Sequence, residues 1–400
     1  MQPVVLALAS NKRLGHRMKV AEQGADAKQV QRQRFSIAMA TFNGEAYIRQ
    51  QLDSLASQIL LPYELVVCDD GSSDGTANIL QDFQKEAPFS VKIHQNPARL
   101  GFADNFLQAA SECSEDWVAF CDQDDVWFPE KLVAVDQAIK NSQASDLMLI
   151  THSVQIGSED LSRRNGRRPY SPEGMSAGPN TWSAAALGGV KGLHSRKDRT
   201  IGPNGHPGFW ALPGFTCIFR RELVTCFDWK VRPKSYDGTY PLQTHDKWIC
   251  MLANALGSVR HIAKPLVLYR RHNAALTGYY QKKSLRGRIA LSKPVGAERY
   301  GFMATAARES AAVLSTLAQS AVDSRWSDNL MCSGRLFEKL ASNCATRAEI
   351  YREKKLKNKF VSFMRLIVNQ GYFGSAFCSL GMSSLLKDLV CCFARQISAE

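Results

Sequence analysis

The sequence is poor in the features that would take it out of the ordinary globular class. No run of about 18 apolar residues occurs in its 400 residues, so no membrane-spanning helix is expected. None of the 11 cysteines forms a CxxC pair, and no spacing resembles a disulfide framework. Cys68, Cys121, Cys217 and Cys250 lie inside apolar runs, which predicts buried thiols in a reducing compartment. Internal repeats and low-complexity tracts are absent. The apolar stretch Met1 to Ala9 has no basic region before it, and Lys12, Arg13 and Arg17 follow instead, so a secretory leader is not expected and a cytoplasmic location is. Acid is in deficit: 37 Asp and Glu against 50 Lys and Arg give a net charge of +13. Such a balance attracts nucleic acid, anionic lipid or phosphorylated ligands without choosing among them. The basic residues are dispersed and no nucleic-acid motif is present, so no nucleic-acid partner is expected.

What is there reads as a layered α/β domain. Residues 1–34 are a basic, polar lead-in. From Phe35, short apolar strands alternate with helical patterns. Strands are predicted at Phe35 to Ala40, Glu64 to Cys68, Val91 to Ile93 and Trp117 to Cys121. Helices are predicted from about Ala46 (Ile48, Leu52, Leu55 and Ile59 in register), after Asp74, and after Pro129. This alternation implies a mostly parallel sheet flanked by helices, whose ligands bind beyond the carboxyl ends of the strands. Thr41-Phe42-Asn43, Asp69-Asp70 and Asp122-Gln123-Asp124-Asp125 each follow a strand, so all three are expected to converge on one crevice. Further strands are predicted at Leu147 to Ile150, Phe215 to Phe219 and Val259 to Tyr269, the last broken at Pro265, and a helix from Thr244 to Leu256. The stretch from Gly157 to Pro213 reads as a long loop insertion. Residues 281–400 read as a helical appendage that either packs on the core or touches a membrane, with packing favoured.

The chemistry concentrates at the strand ends. Asp122, Asp124 and Asp125 repel one another unless a cation sits among them, and hard carboxylate oxygens suit Mg²⁺ or Mn²⁺. The plain alternative is a solvated turn capping the next helix. Asp69 or Asp70 could accept from a pyrimidine N–H or ribose hydroxyls, or simply cap a helix with Ser72 and Ser73. Arg99 is a candidate base or phosphate contact, and equally an ordinary surface arginine.

Together these segments resemble the nucleotide-binding half of family 2 glycosyltransferases with the GT-A fold. The likeness rests on Ala40 to Gly44, Val67 to Thr76, Asn96 to Phe102 and Phe120 to Trp127. Cys68, where a branched apolar residue is usual, is a minor departure. The resemblance extends through Pro213 to Arg220, a glycine-containing acceptor-side loop. It continues in Thr244-His245-Asp246-Lys247-Trp248, similar to an HDxW element of bacterial rhamnosyltransferase-like members, and in Leu268 to Asn273, similar to their YRxH element. It covers residues 35–280, divided into a nucleotide-binding half (35–135) and an acceptor half (136–280).

The resemblance implies donor contacts at Thr41, Asn43, Asp69, Asp70, Arg99, Asp122, Asp124, Arg270 and Arg271. It implies an acceptor side at Gly214, His245 and Trp248, although Trp248 is more often a core residue. Metal falls on Asp124, Asp125 and His272, and the catalytic base on Asp246. An inverting transfer independently needs a base to take the proton of the attacking hydroxyl, while the bland role for Asp246 is an acid at a helix N-terminus. The expected activity is metal-dependent transfer of a sugar, first rhamnose from dTDP-rhamnose and second a UDP-hexose, to a saccharide or lipid-linked saccharide in bacterial surface polysaccharide (O-antigen or capsule) synthesis. Work at the inner membrane face would suit the basic charge. The other readings are an inactive glycosyltransferase-like binding module and a nucleotidyltransferase, which would normally carry a glycine-rich phosphate loop where Thr41 to Gly44 stand.

Overall fold

Alternation with a period of two decides how the central strands are covered. In the computed structural model, which describes residues 32–157, 198–236, 240–270, 272, 296–321 and 323–393, the first strand is β1 (Phe35–Thr41). Phe35, Ile37 and Met39 point to one side, with Leu65 and Val67 of β2 (Glu64–Asp69) and Trp117 and Ala119 of β4 (Trp117–Cys121). That side is covered by α1 (Ile48–Ala56), α2 (Thr76–Glu86) and, after a two-residue strand β5 (Val126–Trp127), by α4 (Lys131–Lys140). Ala38, Val66, Cys68, Val118 and Phe120 face the other way, onto α3 (Phe102–Ser111) and later helices. Burial pushes the Cys68 thiol up to about 12, so it is an inert core residue.

With β3 (Ser90–Gln95), the strands run β3-β2-β1-β4 and all pair in parallel, so their carboxyl ends share one edge. The chain goes from β1 outward to β3 and then returns to the far side of β1 for β4. That reversal leaves a crevice at the ends of β1 and β4. Beyond β4 the sheet is mixed. β8 (Ile218–Arg220) is antiparallel to both β4 and β6 (Leu147–Gly157), and β6 is parallel to β9 (Ser258–Arg270). β5 and β7 (Arg199–Ile201) pair antiparallel with β9. The expectation of parallel pairing therefore holds for the first half. In the second, β8 enters by a 3-10 turn at Gly214–Thr216, where a strand from Phe215 was expected, and not by a helical crossover. β9 runs unbroken through Pro265, because the register shift opposite His152 and Ser153 absorbs the missing N–H. Ile59 lies beyond the end of α1 and is exposed, outside the register expected of it.

The remaining helices are α5 (Glu222–Thr225), α6 (His245–Leu256), α7 (Gly296–Ser320), α8 (Ser324–Arg352), α9 (Leu356–Val368) and α10 (Met382–Phe393). The tail packs: Leu314, Phe337 and Leu366 belong to the same apolar cluster as Trp248 of α6 and Phe120 of β4. A buried ion pair of Arg347 and Asp388, 2.8 Å apart, ties α8 to α10, with Tyr351 and Tyr372 hydroxyls donating to the same carboxylate. No helix among the described residues is long and apolar enough to cross a membrane.

Glu64, 1 % exposed, staples the amino ends of the strands together. It accepts from Ser36 Oγ (2.7 Å), Ser114 N (2.6 Å) and Oγ (2.7 Å), and Lys92 Nζ (2.7 Å). Burial alone would raise its pKa, but the bonds from Lys92, Ser36 and Ser114 outweigh it and bring the carboxyl from 4.5 down to about 2. A depressed carboxyl stabilises the fold above its unfolded pKa, and that stabilisation is lost as pH falls through the folded value. Glu64→Gln is expected to cost about 2 kcal/mol at pH 7, discounted for the water around Lys92. Urea unfolding at pH 7 and near pH 2 checks this: the gap between wild type and variant should close on acidification, and a pH-independent gap would contradict it.

Candidate active site

The loop after β1 is bound to the loop after β2. Thr41 Oγ1 donates to Asp69 Oδ1 (2.8 Å), and Asp69 Oδ2 accepts from Ser72 N (2.9 Å). Asp70 accepts from Asn96 Nδ2 (3.1 Å), Leu100 N (2.6 Å) and Gly101 N (2.8 Å), fastening the loop that leads to α3. Thr41, Asp69 and Asp70 are all buried. In this structure they shape the crevice from behind, and most of their hydrogen-bonding capacity is spent on the loops. Asn43 and Arg99 are exposed. Asn43 takes a left-handed conformation (φ 48°) and accepts from Ser73 N, and the Arg99 guanidinium lies 3.8 Å over the Phe42 ring.

The loop after β4 carries the acids. Oxygens of Asp122, Asp124 and Asp125 lie within 4.8 Å of one another. Gln123, between them, makes a two-way amide bond with the backbone of Phe42: its Oε1 accepts from Phe42 N (3.0 Å) and its Nε2 donates to Phe42 O (3.1 Å). The acidic loop and the first loop are therefore one unit. Asp125 is fully buried; one oxygen accepts from Arg270 N (3.0 Å) and the other has no partner among the described residues. His272 Nε2 lies 2.8 Å from Asp124 Oδ2. This sets the His272 imidazole, expected as a metal ligand, directly beside the three-acid group.

Arg270 was expected on a diphosphate. It is 2 % exposed, its Nε donates to the carbonyl of Asp124 (2.8 Å), and a terminal nitrogen bonds Gln50. It holds the acidic loop from inside. Arg271 lies outside the described residues.

Burial, then the charges of Asp124 and Asp246, pushes Asp122 up to about 8, against the pull of Lys131. Burial, then Asp124 and Asp122, also raises Asp125 well above the carboxylate range. Sequence reasoning did not single out Lys131. Its side chain is fully buried, with Nζ 3.0 Å from Phe215 O and 3.4 Å from the Trp127 ring centroid. Burial outweighs the nearby acids and lowers it to about 7. Its one local signal is a charged residue on the apolar face of α4, in register with Val135. An acid group that holds protons this high, with one carboxylate oxygen buried and unpartnered, is a group short of positive charge. Hard oxygen donors at this spacing fit Mg²⁺ or Mn²⁺.

Asp246 opens α6. Thr244 Oγ1 and Lys247 N (2.8 Å) both bond its Oδ1, while its Oδ2 has no hydrogen bond among the described residues. Its charge adds to the shift of Asp122. The acceptor-side expectations fare differently. Trp248 has no exposed surface and is core. His245 is 5 % exposed, stacked 4.2 Å from Phe106 and edge-on to Phe120, and burial lowers it to about 4. Both side chains turn into the core beside Asp246. Gly214 matters by what it lacks: a Cβ there would sit 2.4 Å from His245 Nε2, so the glycine makes room for the imidazole.

Residues 36–202 match the family model described as "Glycosyl transferase family 2". The dTDP-rhamnosyl transferase RfbG of Shigella flexneri is 34% identical over 109 residues, 26% of this chain and 38% of that protein. The UDP-Glc:alpha-D-GlcNAc-diphosphoundecaprenol beta-1,3-glucosyltransferase WfgD of Escherichia coli is 32% identical over 108 residues, 27% of this chain and 42% of that protein. The chain thus spans less than half the length of these two relatives. Among solved structures, S. aureus TarS 1-349 in complex with UDP-GlcNAc aligns over 80% of this chain and 91% of that one, at 18% identity and a TM-score of 0.43.

Proposed function

We propose that this chain, which belongs to glycosyl transferase family 2 through residues 36–202, moves a sugar from a nucleoside-diphosphate donor to a saccharide hydroxyl with inversion. One observation carries the reading: three carboxylates gather within 4.8 Å at the end of β4, and one of them, Asp122, feels the charge of Asp246. Asp246 is held by Oδ1, which leaves Oδ2 to take the acceptor's proton as its oxygen attacks the anomeric carbon. Asp122, Asp124 and Asp125 would hold Mg²⁺ or Mn²⁺, which when bound neutralises charge on the departing diphosphate. His272 and Arg270 keep Asp124 and its loop in place. Arg99 over Phe42 offers an exposed cation and ring at the rim of the first loop, suited to a nucleotide.

The name of the Shigella flexneri relative supports dTDP-rhamnose as first donor, and that of the Escherichia coli relative supports a UDP-hexose as second. We read residues 35–280 as the transfer domain and assign the reaction to bacterial surface polysaccharide. Titration calorimetry with dTDP-rhamnose, UDP-glucose and other nucleotide sugars, with Mn²⁺ and with EDTA, tests this. Expected is binding of one donor only with metal present, lost in Asp124→Ala. A folded protein that binds none of them would end the transferase reading.

A further inference from the structure

The bonds that Asp246 accepts from Thr244 Oγ1 and Lys247 N are local, so they fix its carboxylate within the first turn of α6 and no further. The start of α3 is tied elsewhere, to the end of β2. Leu100 N and Gly101 N bond Asp70, and Asn105 of α3 donates from Nδ2 to Cys68 O (2.8 Å). One side chain joins the two helix starts. Arg232 is buried, its side chain 2 % exposed, and its planar fork points three ways. Nε donates to the carbonyl of Gln243 (2.9 Å), one residue before the Thr244 that caps α6. One terminal nitrogen donates to Trp229 O (2.8 Å), and the other bonds Asp104 in the first turn of α3. Gln243 N donates in turn to Pro233 O (2.8 Å), which holds the stretch before α6 beside Arg232. From the far side, Glu309 of α7 accepts from Lys234 N (3.0 Å) and pairs with its Nζ (3.0 Å).

Stability alone is a poor account of a guanidinium in this place. Burying a charge costs free energy that pairing recovers only in part, and apolar residues of similar volume often stabilise as well or better. What the fork adds is geometry, because one rigid group sets the angles between partners on separate segments. We propose that Arg232 is a positioning residue: it registers the start of α6, and with it Asp246, on the start of α3, with Asp104 as the anchor of the link. This role rests on the reading of Asp246 as the base and adds what holds that base relative to the nucleotide-binding half.

Donor turnover with water as the acceptor tests it. Release of nucleoside diphosphate is followed with Mn²⁺ and saturating dTDP-rhamnose, and in parallel UDP-glucose. The water oxygen bonds the anomeric carbon, the bond from that carbon to the diphosphate breaks, and the water proton passes to Asp246. Calorimetry gives donor Kd for the same variants, with Asp246→Asn as the reference. Arg232→Lys keeps the charge but loses the fork, and is expected to lower kcat roughly 10- to 100-fold while donor Kd stays within about threefold. Asp104→Ala changes a side chain that is 39 % exposed, so it should stay folded and carries the test if Arg232→Lys unfolds. It is expected to lower kcat about tenfold. Asp104→Asn keeps an oxygen that accepts from Arg232 and should restore most of that loss. Asp104→Ala/Arg232→Lys should be no slower than Arg232→Lys, because both changes break one link. Wild-type kcat in Arg232→Lys and Asp104→Ala, beside a collapsed kcat in Asp246→Asn, overturns the proposal and leaves the base in place. A donor Kd that weakens in step with kcat also overturns it, and makes Arg232 part of the general frame. Wild-type kcat in Asp246→Asn removes the base, and with it anything for Arg232 to position.

Discussion

Asp246→Asn is expected to slow transfer by about 10²–10⁴-fold while leaving donor affinity within a factor of a few. The amide is isosteric and can still accept from Thr244 Oγ1 and Lys247 N, so the start of α6 should stand. What it loses is the basicity of the oxygen that points away from those bonds. A second consequence falls on Asp122. The Asp246 charge helps keep a proton on Asp122, so its removal lowers Asp122's hold on that proton. That effect is one contribution among several and is small beside the loss of a base. Initial rates with saturating donor, set beside calorimetric donor affinity, separate the two: kcat should collapse while donor Kd barely moves. A variant with wild-type kcat would remove Asp246 from the chemistry. Loss of donor binding to the same extent as rate would make it a structural residue of the crevice.

Mn²⁺ is expected to raise the melting temperature by several degrees, more at pH 8 than at pH 6, and EDTA to abolish both this gain and the activity. The sign follows from the raised acids. Asp122 in the folded chain holds its proton to about pH 8, against an ordinary 3.8, and Asp125 is raised as well. An acid whose folded pKa is raised stabilises the fold while protonated, and that contribution fades as pH climbs through the folded value. The metal-free protein therefore loses stability between about pH 4 and pH 8. A cation must displace the same protons, so its affinity rises across the same interval and binding releases protons. At a hundredfold excess over Kd the gain is about 2.7 kcal/mol. Asp124→Asn should erase it. Thermal unfolding with and without Mn²⁺ at the two pH values is the check. Equal melting temperatures throughout would mean that Lys131 alone balances the acids.

How much of this could be read beforehand divides by the range of the interactions involved. Phe35-Ser36-Ile37-Ala38-Met39 announces a strand because alternate side chains face opposite sides of a sheet, and here they do, onto two different apolar clusters. The three polar clusters after strands announce a shared crevice because parallel strands end on one edge, and the Thr41–Asp69 and Phe42–Gln123 bonds join them. What could not be read beforehand concerns the surroundings of single side chains. Trp248 and His245 sit in the same motif as Asp246, yet the helix turns them into the core. Arg270, expected on a phosphate, donates to the Asp124 carbonyl and to Gln50.

The sequence by itself determined the strands and helices of the first half, their order and the strand-end position of the polar clusters, because these follow from local periodicity and from the chirality of the chain. Only the tertiary structure decided that β8 enters antiparallel beside β4, and that Gln123 locks the acidic loop to the first one. It alone also buried Lys131 within reach of the acids. Each of these depends on partners distant along the chain. A residue's burial and charge state are set by those partners, and no window of sequence around it contains them.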